Sequence, residues 1–115
     1  MRVVLAAVLA LAAAPAFAAT GQAVFIDKCG DCHTLEGPSQ TAPSLKGVVG
    51  RKIASLADFQ YSDALKAKSG GTWDEATLGS FLADPKAFAP GTVMFGGAPD
   101  PADRQAIIDY LKSAK

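Results

Sequence analysis

The chain has two cysteines and one histidine, and all three fall within five residues, Cys29-Gly30-Asp31-Cys32-His33. Two thiols three positions apart and followed directly by an imidazole form C-x-x-C-H, the attachment signature of c-type haem. The spacing follows from the chemistry. The thiols of Cys29 and Cys32 add across two vinyl groups on one side of the porphyrin to form thioether bonds, and His33 is then held beneath the iron as an axial nitrogen ligand. Such a chain must fold around a large, flat, apolar group fixed near residue 30. Rival uses of the motif fit less well. A structural zinc ion needs four Cys or His ligands and this chain offers three. A thioredoxin-like pair belongs beside a β-α-β pattern, which is absent. A Cys29–Cys32 disulfide would close too short a loop to constrain the unfolded chain much.

The amino terminus assigns a compartment. Arg2 precedes the apolar run 3–14, and Pro15-Ala16-Phe17-Ala18-Ala19 follows with small residues in an A-x-A arrangement. This is the layout of a secretory signal peptide cleaved after Ala18, and the run is shorter than the roughly 20 residues that span a bilayer. Residues 1–18 therefore read as a cleaved leader and 19–115 as a single domain, exported to the periplasm. Removing 18 of the 115 residues leaves 97, a domain small enough for a large apolar cofactor to help fill its core. Across the whole chain 11 basic residues balance 11 acidic ones, and Arg2 leaves with the leader. The near-neutral remainder gives no electrostatic reason to expect nucleic acid or a membrane surface as partner.

Periodicity within residues 19–115 is helical wherever it is regular. Thr20 is placed to cap a first helix through Cys29, with Val24, Phe25 and Cys29 close to one face. Residues 34–59 are rich in Gly, Pro and Ser and show no period. A loop this long in a small domain calls for a functional reason. A short helix is expected from Ser62 to Lys68, ending at Gly70-Gly71. Thr72-Trp73-Asp74-Glu75 reads as a capping box for a helix carrying Leu78, Phe81 and Leu82, stopped by Asp84-Pro85. Residues 87–99 read as irregular. Asp100 and Pro101 then open a last helix with Ile107, Tyr110, Leu111 and Ala114 on one face and with Lys112 and Lys115 at its cation-favouring end.

Residues 19–115 hold no second histidine and one methionine, Met94. A lone methionine is more often a filler of core gaps than a ligand, but this one stands in the irregular segment Pro90-Gly91-Thr92-Val93-Met94, outside any helical apolar stripe. It is the candidate sixth ligand opposite His33. A His/Met pair is an electron-transfer pairing and raises the reduction potential.

With these residues in place, the chain resembles the class I c-type cytochromes, the soluble bacterial and mitochondrial type, over nearly its whole length beyond the leader. The resemblance implies an all-α, small cytochrome c fold of three to five helices, with long loops wrapped around one covalently bound haem c. Gly21 and Phe25 resemble the family's packing pair where the first helix crosses the last near Tyr110. Ala42-Pro43-Ser44-Leu45 resembles the segment whose proline carbonyl accepts the hydrogen bond of the ligand histidine, so Pro43 is implied to orient His33. Gly50-Arg51-Lys52, the run from Phe59 to Ala64 and Gly71-Thr72-Trp73 resemble the family's arginine turn, tyrosine segment and tryptophan. Arg51, Tyr61 and Trp73 are thereby implied to serve the haem propionates, which need donors or a compensating charge when buried. The run from Asp84 to Met94 resembles the family's ligand loop, in which Thr92 would bond a propionate. Two residues depart from the pattern: Phe81 stands where many members have a tyrosine bonding the methionine sulfur, and Leu65 replaces a common polar residue.

The function expected is one-electron transfer between redox protein partners by a soluble, monomeric carrier with no catalysed reaction. Docking is expected at an exposed haem edge flanked by Lys28 and Lys86. A gas sensor or peroxidase would instead require Met94 to be absent from the iron or easily displaced.

Overall fold

The computed structural model describes residues 20–37 and 41–114. The leader expected over residues 1–18 and its cleavage after Ala18 lie outside the described residues, as do Pro38, Ser39 and Lys115. Five helices follow one another: α1 (Gly21–Cys29), α2 (Asp63–Ala67), α3 (Glu75–Ala83), α4 (Pro85–Phe88) and α5 (Pro101–Ser113). Among the described residues there is no strand, only one isolated antiparallel bridge between Lys52 and Thr72. The all-α expectation, with long irregular segments between helices, holds.

Each helix starts where a short polar side chain can take up an otherwise unpaired amide. Thr20 Oγ1 accepts from Ala23 N at 3.2 Å, and Asp100 Oδ1 accepts from both Ala102 N and Asp103 N at 2.9 and 3.0 Å. The helix expected from Ser62 to Lys68 is shorter by one residue at each end: Ser62 is its cap, accepting from Leu65 N, and Lys68 follows its last turn. The capping box expected from Thr72 is corrected: Asp74, two residues on, caps α3 by accepting from Thr77 N at 2.7 Å. Hydrogen bonds from Thr77 hold the Asp74 carboxyl below its ordinary range. A carboxylate is a better cap than a hydroxyl at this end of the helix dipole. The segment expected to be irregular from residue 87 also begins late. Asp84 ends α3 and caps the single turn of α4, whose first residue, Pro85, needs no hydrogen-bond partner for its nitrogen.

Helix α1 crosses α5, and α3 packs on both α5 and α4. The first crossing is close because Gly21 lacks a side chain: a Cβ there would lie 2.5 Å from Ala106 O and 2.8 Å from Tyr110 Cβ. Phe25, one turn on, meets Tyr110 with ring centroids 5.5 Å apart. The buried face of α5 is Ile107, Ile108 and Leu111, whereas Tyr110 and Ala114 are only partly covered. The periodic reading missed Ile108 because the side of α5 facing α3 adds to the side facing α1.

The irregular segment after the motif is tied down by long-range backbone pairs. Gly50 N donates to Trp73 O and Trp73 N to Arg51 O, both at 2.8 Å, and Ile53 N donates to Gly71 O at 3.0 Å. Gly47 N reaches Ala114 O at 2.7 Å, joining this loop to the end of α5. The buried apolar residues, among them Val24, Phe25, Val48, Leu78, Phe81, Ile107 and Leu111, form one cluster.

Gly21→Ala should lower unfolding free energy by about 1–3 kcal/mol, the usual cost of overpacking a closed contact. A urea titration of the two proteins checks this; equal midpoints would mean that the helices separate at no cost.

Candidate haem-binding site

Between α1, α3, α5 and the two long loops lies a cavity of about 510 Å³, within the roughly 300–1,000 Å³ usual for cofactor sites. Its walls are apolar: Leu78, Phe81 and Leu82 from α3, Ile107 and Leu111 from α5, and Val48 and Leu45 from the first loop. Cys29, Cys32 and His33 border it, and so does Met94.

The motif is shaped by the end of α1. Gly30 N donates to Phe25 O and Ile26 O, and the amides of Cys32 and His33 both donate to Cys29 O, at 3.2 and 2.9 Å. The chain therefore winds into a tight turn that leaves Cys29 buried and Cys32 exposed while both reach the cavity. Neither thiol is in a disulfide. Burial pushes the Cys29 thiol up to about 11, against the weaker pull of Lys28. Unreacted, it is a neutral thiol at physiological pH.

His33 sits with Nδ1 2.8 Å from the Pro43 carbonyl oxygen. A carbonyl only accepts, so Nδ1 carries the proton. Burial, helped by Arg51, lowers the ring's affinity for a second proton, while the Pro43 hydrogen bond opposes this. The neutral tautomer leaves the lone pair on Nε2, the form in which imidazole binds a metal. Pro43 is held in turn by its neighbours: Leu45 N donates to Thr34 O at 2.8 Å, and Arg51 donates through Nη2 to Ser44 O at 2.8 Å and through Nη1 to Lys46 O at 3.2 Å.

Arg51, Tyr61, Trp73 and Thr92 all border the same cavity. Burial pulls the Arg51 guanidinium down from its ordinary value, and Tyr61 and Asp58 oppose the shift. Tyr61 Oη accepts from Leu56 N at 3.3 Å, which leaves its O–H free to donate. Trp73 is buried against Phe81 and Phe88, with centroids 5.1 and 5.8 Å away. Thr92 Oγ1 accepts from Met94 N at 3.3 Å, a local turn that fixes the backbone two residues before the thioether. The two departures also face the cavity, where Phe81 and Leu65 both present hydrocarbon.

This donor set fits a haem. The group is a broad apolar plate with two carboxylates, and the cavity joins apolar walls to a thiol pair, an imidazole, a thioether and several N–H and O–H donors. Sequence reasoning missed Val48, 2 % exposed within an aperiodic loop, because the pair Val48-Val49 between two glycines shows no period. It also missed Arg104 on α5, which donates through Nη1 to Ala98 O and Pro99 O at 3.0 and 3.1 Å. A charge on a helix reads as solvated, so nothing local marked it.

Comparison with known proteins agrees with this geometry. The family model described as Cytochrome c matches residues 18–115. Among similar proteins, cytochrome c2 iso-2 of Magnetospirillum fulvum is 54% identical over 87 residues, covering 74% of this chain and 90% of that one. The cytochrome c of Tetrahymena pyriformis is 46% identical over 97 residues, covering 84% and 87%. Of solved structures, cytochrome cH from Methylobacterium extorquens superposes with a TM-score of 0.72 at 49% identity, covering 81% of this chain and 94% of that one.

Arg51→Met keeps most of the side chain's bulk and removes both bonds to the loop that carries Pro43. It should cost about 1–3 kcal/mol, the usual loss for hydrogen bonds from a charged donor, read as a lower urea midpoint of the haem-loaded protein.

Proposed function

Because the chain belongs to the cytochrome c family, we propose that its mature form is a soluble, periplasmic one-electron carrier whose iron is held between His33 and Met94. Membership makes it a class I c-type cytochrome, an electron-transfer protein with a covalently bound haem c. The finer reading rests on one observation: His33 and Met94, the sole imidazole and the sole thioether in residues 19–115, border one cavity together with both cysteines.

Bound haem c supplies a one-electron couple at its iron. The chain's residues set the conditions for it. Cys29 and Cys32 anchor the group covalently, and His33, aimed by the Pro43 carbonyl, offers Nε2 from one side. Met94 would offer its sulfur, and with His33 it would hold the iron so that no substrate reaches the metal. The apolar walls exclude water, which keeps the reorganisation on electron exchange small. Arg51, Tyr61, Trp73 and Thr92 are assigned to the propionate end, where their donors offset the cost of burying carboxylates. Phe81 has no hydroxyl, so it cannot donate a hydrogen bond to the Met94 sulfur.

A leader over residues 1–18, cleaved after Ala18, delivers the chain to the periplasm, where it works as a monomer. Among the described residues no helix is long and apolar enough to cross a membrane. Redox partners dock at the rim near Lys28 and Lys86. Val93 and Phe95, 77% and 84% exposed, flank Met94 there, and Lys86 Nζ lies 5.6 Å from the centre of the Phe95 ring. Lys28 Nζ lies 3.8 Å from Asp103 Oδ2, so part of its charge is already answered within the chain and Lys86 is the stronger docking cation.

Wild-type ferric protein should show the far-red sulfur-to-iron charge-transfer band, and Met94→His should abolish it. The same substitution should lower the potential by on the order of tenths of a volt, within the roughly 0.8 V that axial ligands span. A wild-type spectrum lacking the band would sink the Met94 assignment. For docking, Lys86→Glu should slow electron exchange with an acidic redox partner more than Lys28→Glu, with a flatter dependence on ionic strength. Unchanged rates in both would remove the docking role.

A further inference from the structure

We propose that Arg104, on α5, is a positioning residue for Met94: it clamps the carboxyl end of the loop carrying that thioether to the cavity wall. The inference rests on the reading of Met94 as an iron ligand.

The loop's need for a clamp is visible in its backbone. On the amino side of Met94 the chain is secured within two residues, since Thr92 N donates to Ala89 O at 3.0 Å and Met94 N donates to Thr92 Oγ1. On the carboxyl side Phe95 is exposed, and Gly96 and Gly97 have φ of +75° and +126°. That pair is a pliable joint, because glycine loses more conformational freedom on ordering than other residues. The first rigid point beyond it is Ala98, with no exposed surface. Ala98 is gripped from two helices. Its N–H donates to Leu82 O at the end of α3, at 2.7 Å, and its carbonyl accepts from Arg104 Nη1 at 3.0 Å. The same Nη1 also donates to Pro99 O at 3.1 Å. A Cβ on Gly97 would lie 2.5 Å from Leu82 O, so the loop passes as near to α3 as a backbone can.

Leu82, Ile107 and Leu111, on the two helices that grip Ala98, also form cavity wall. The clamp thus refers the position of Met94 to the surface against which the haem packs. Without it, the Gly96-Gly97 joint would let the loop swing outward and the thioether leave the iron. The apparent affinity for a competing ligand at the sixth position equals its intrinsic affinity multiplied by the fraction of molecules with the loop open. Loss of the clamp therefore appears as tighter binding of such a ligand.

The test is imidazole titration of the haem-loaded ferric protein, followed by the far-red band, in wild type, Arg104→Met, Arg104→Lys and Lys112→Met. Arg104→Met keeps the apolar stem and removes the donors. It should bind imidazole about tenfold more tightly, the factor expected when a charge-assisted contact worth about 1.4 kcal/mol is lost from the closed state. Arg104→Lys, which keeps a point charge without the planar fork, should fall between, at about threefold. Lys112→Met removes the α5 surface pair with Glu75, whose Nζ to Oε1 separation is 3.3 Å, and should bind imidazole like wild type. Wild-type affinity in both Arg104 variants overturns the proposal. So does equal tightening in Lys112→Met, which would make the effect one of general helix stability. If Arg104→Met does not accumulate, Arg104→Lys at wild-type affinity is enough to overturn it. Absence of the far-red band from the wild-type protein rejects Met94 ligation itself, and is seen before any variant is compared.

Discussion

The hydrogen bond between His33 Nδ1 and the Pro43 carbonyl, 2.8 Å long, decides what the rest of the site can be. An imidazole that gives its Nδ1 proton to a carbonyl is committed to one tautomer, and its remaining lone pair on Nε2 becomes the metal-binding atom. The commitment is only as firm as the loop presenting the carbonyl. That loop is secured by Leu45 to Thr34 across its neck and by Arg51 to Ser44 and Lys46 from outside. Arg51 is secured in its turn by backbone pairing with Trp73. Arg51 thus borders the cavity and also holds the loop that aims His33, so the two parts of the site are mechanically linked.

The two sides of the cavity are built differently. On the His33 side the proposed ligand follows directly from a helix, through a tight turn whose amides converge on Cys29 O. On the Met94 side the proposed ligand stands in a loop of irregular backbone with glycines behind it, and that loop is tied to α3 and α5 through Ala98. A helix-anchored imidazole with a fixed tautomer is hard to displace, whereas a loop-borne thioether is held by a few bonds of about 1 kcal/mol each. Under the proposed ligation, the loop side is where the chain has room to tune access to the iron.

Small size accounts for the economy of the core. The crossing at Gly21 brings α1 against α5, and this lets Ile107 and Leu111 face the cavity while Ile108 packs towards α3. Much of the apolar cluster is also cavity wall, so the cofactor completes the core. Phe81 shows the same sharing: it touches Trp73 and Phe88 on one side and borders the cavity on the other.

The five residues from Cys29 to His33 determined the cofactor, because thioether chemistry fixes both residue types and spacing within a local stretch of chain. Cap and breaker residues likewise located most of the helices: Thr20, Ser62 and Asp100 act on their own next turn. Asp74 was misread in favour of Thr72 because two cap-forming side chains competed within one turn. The single turn of α4 was too short to show a period. What the sequence left open was which distant groups meet. The binding of Arg51 to Ser44, the place of Val48 in the wall and the grip of Arg104 on Ala98 join groups whose sequences carry no mutual signal, and the pairing of His33 with Pro43 was implied by the family resemblance alone. The hydrogen bonds among them span only 6 to 10 positions, yet each is accepted by a backbone carbonyl, a group that acquires such a role only when the fold brings a donor within about 3 Å of it.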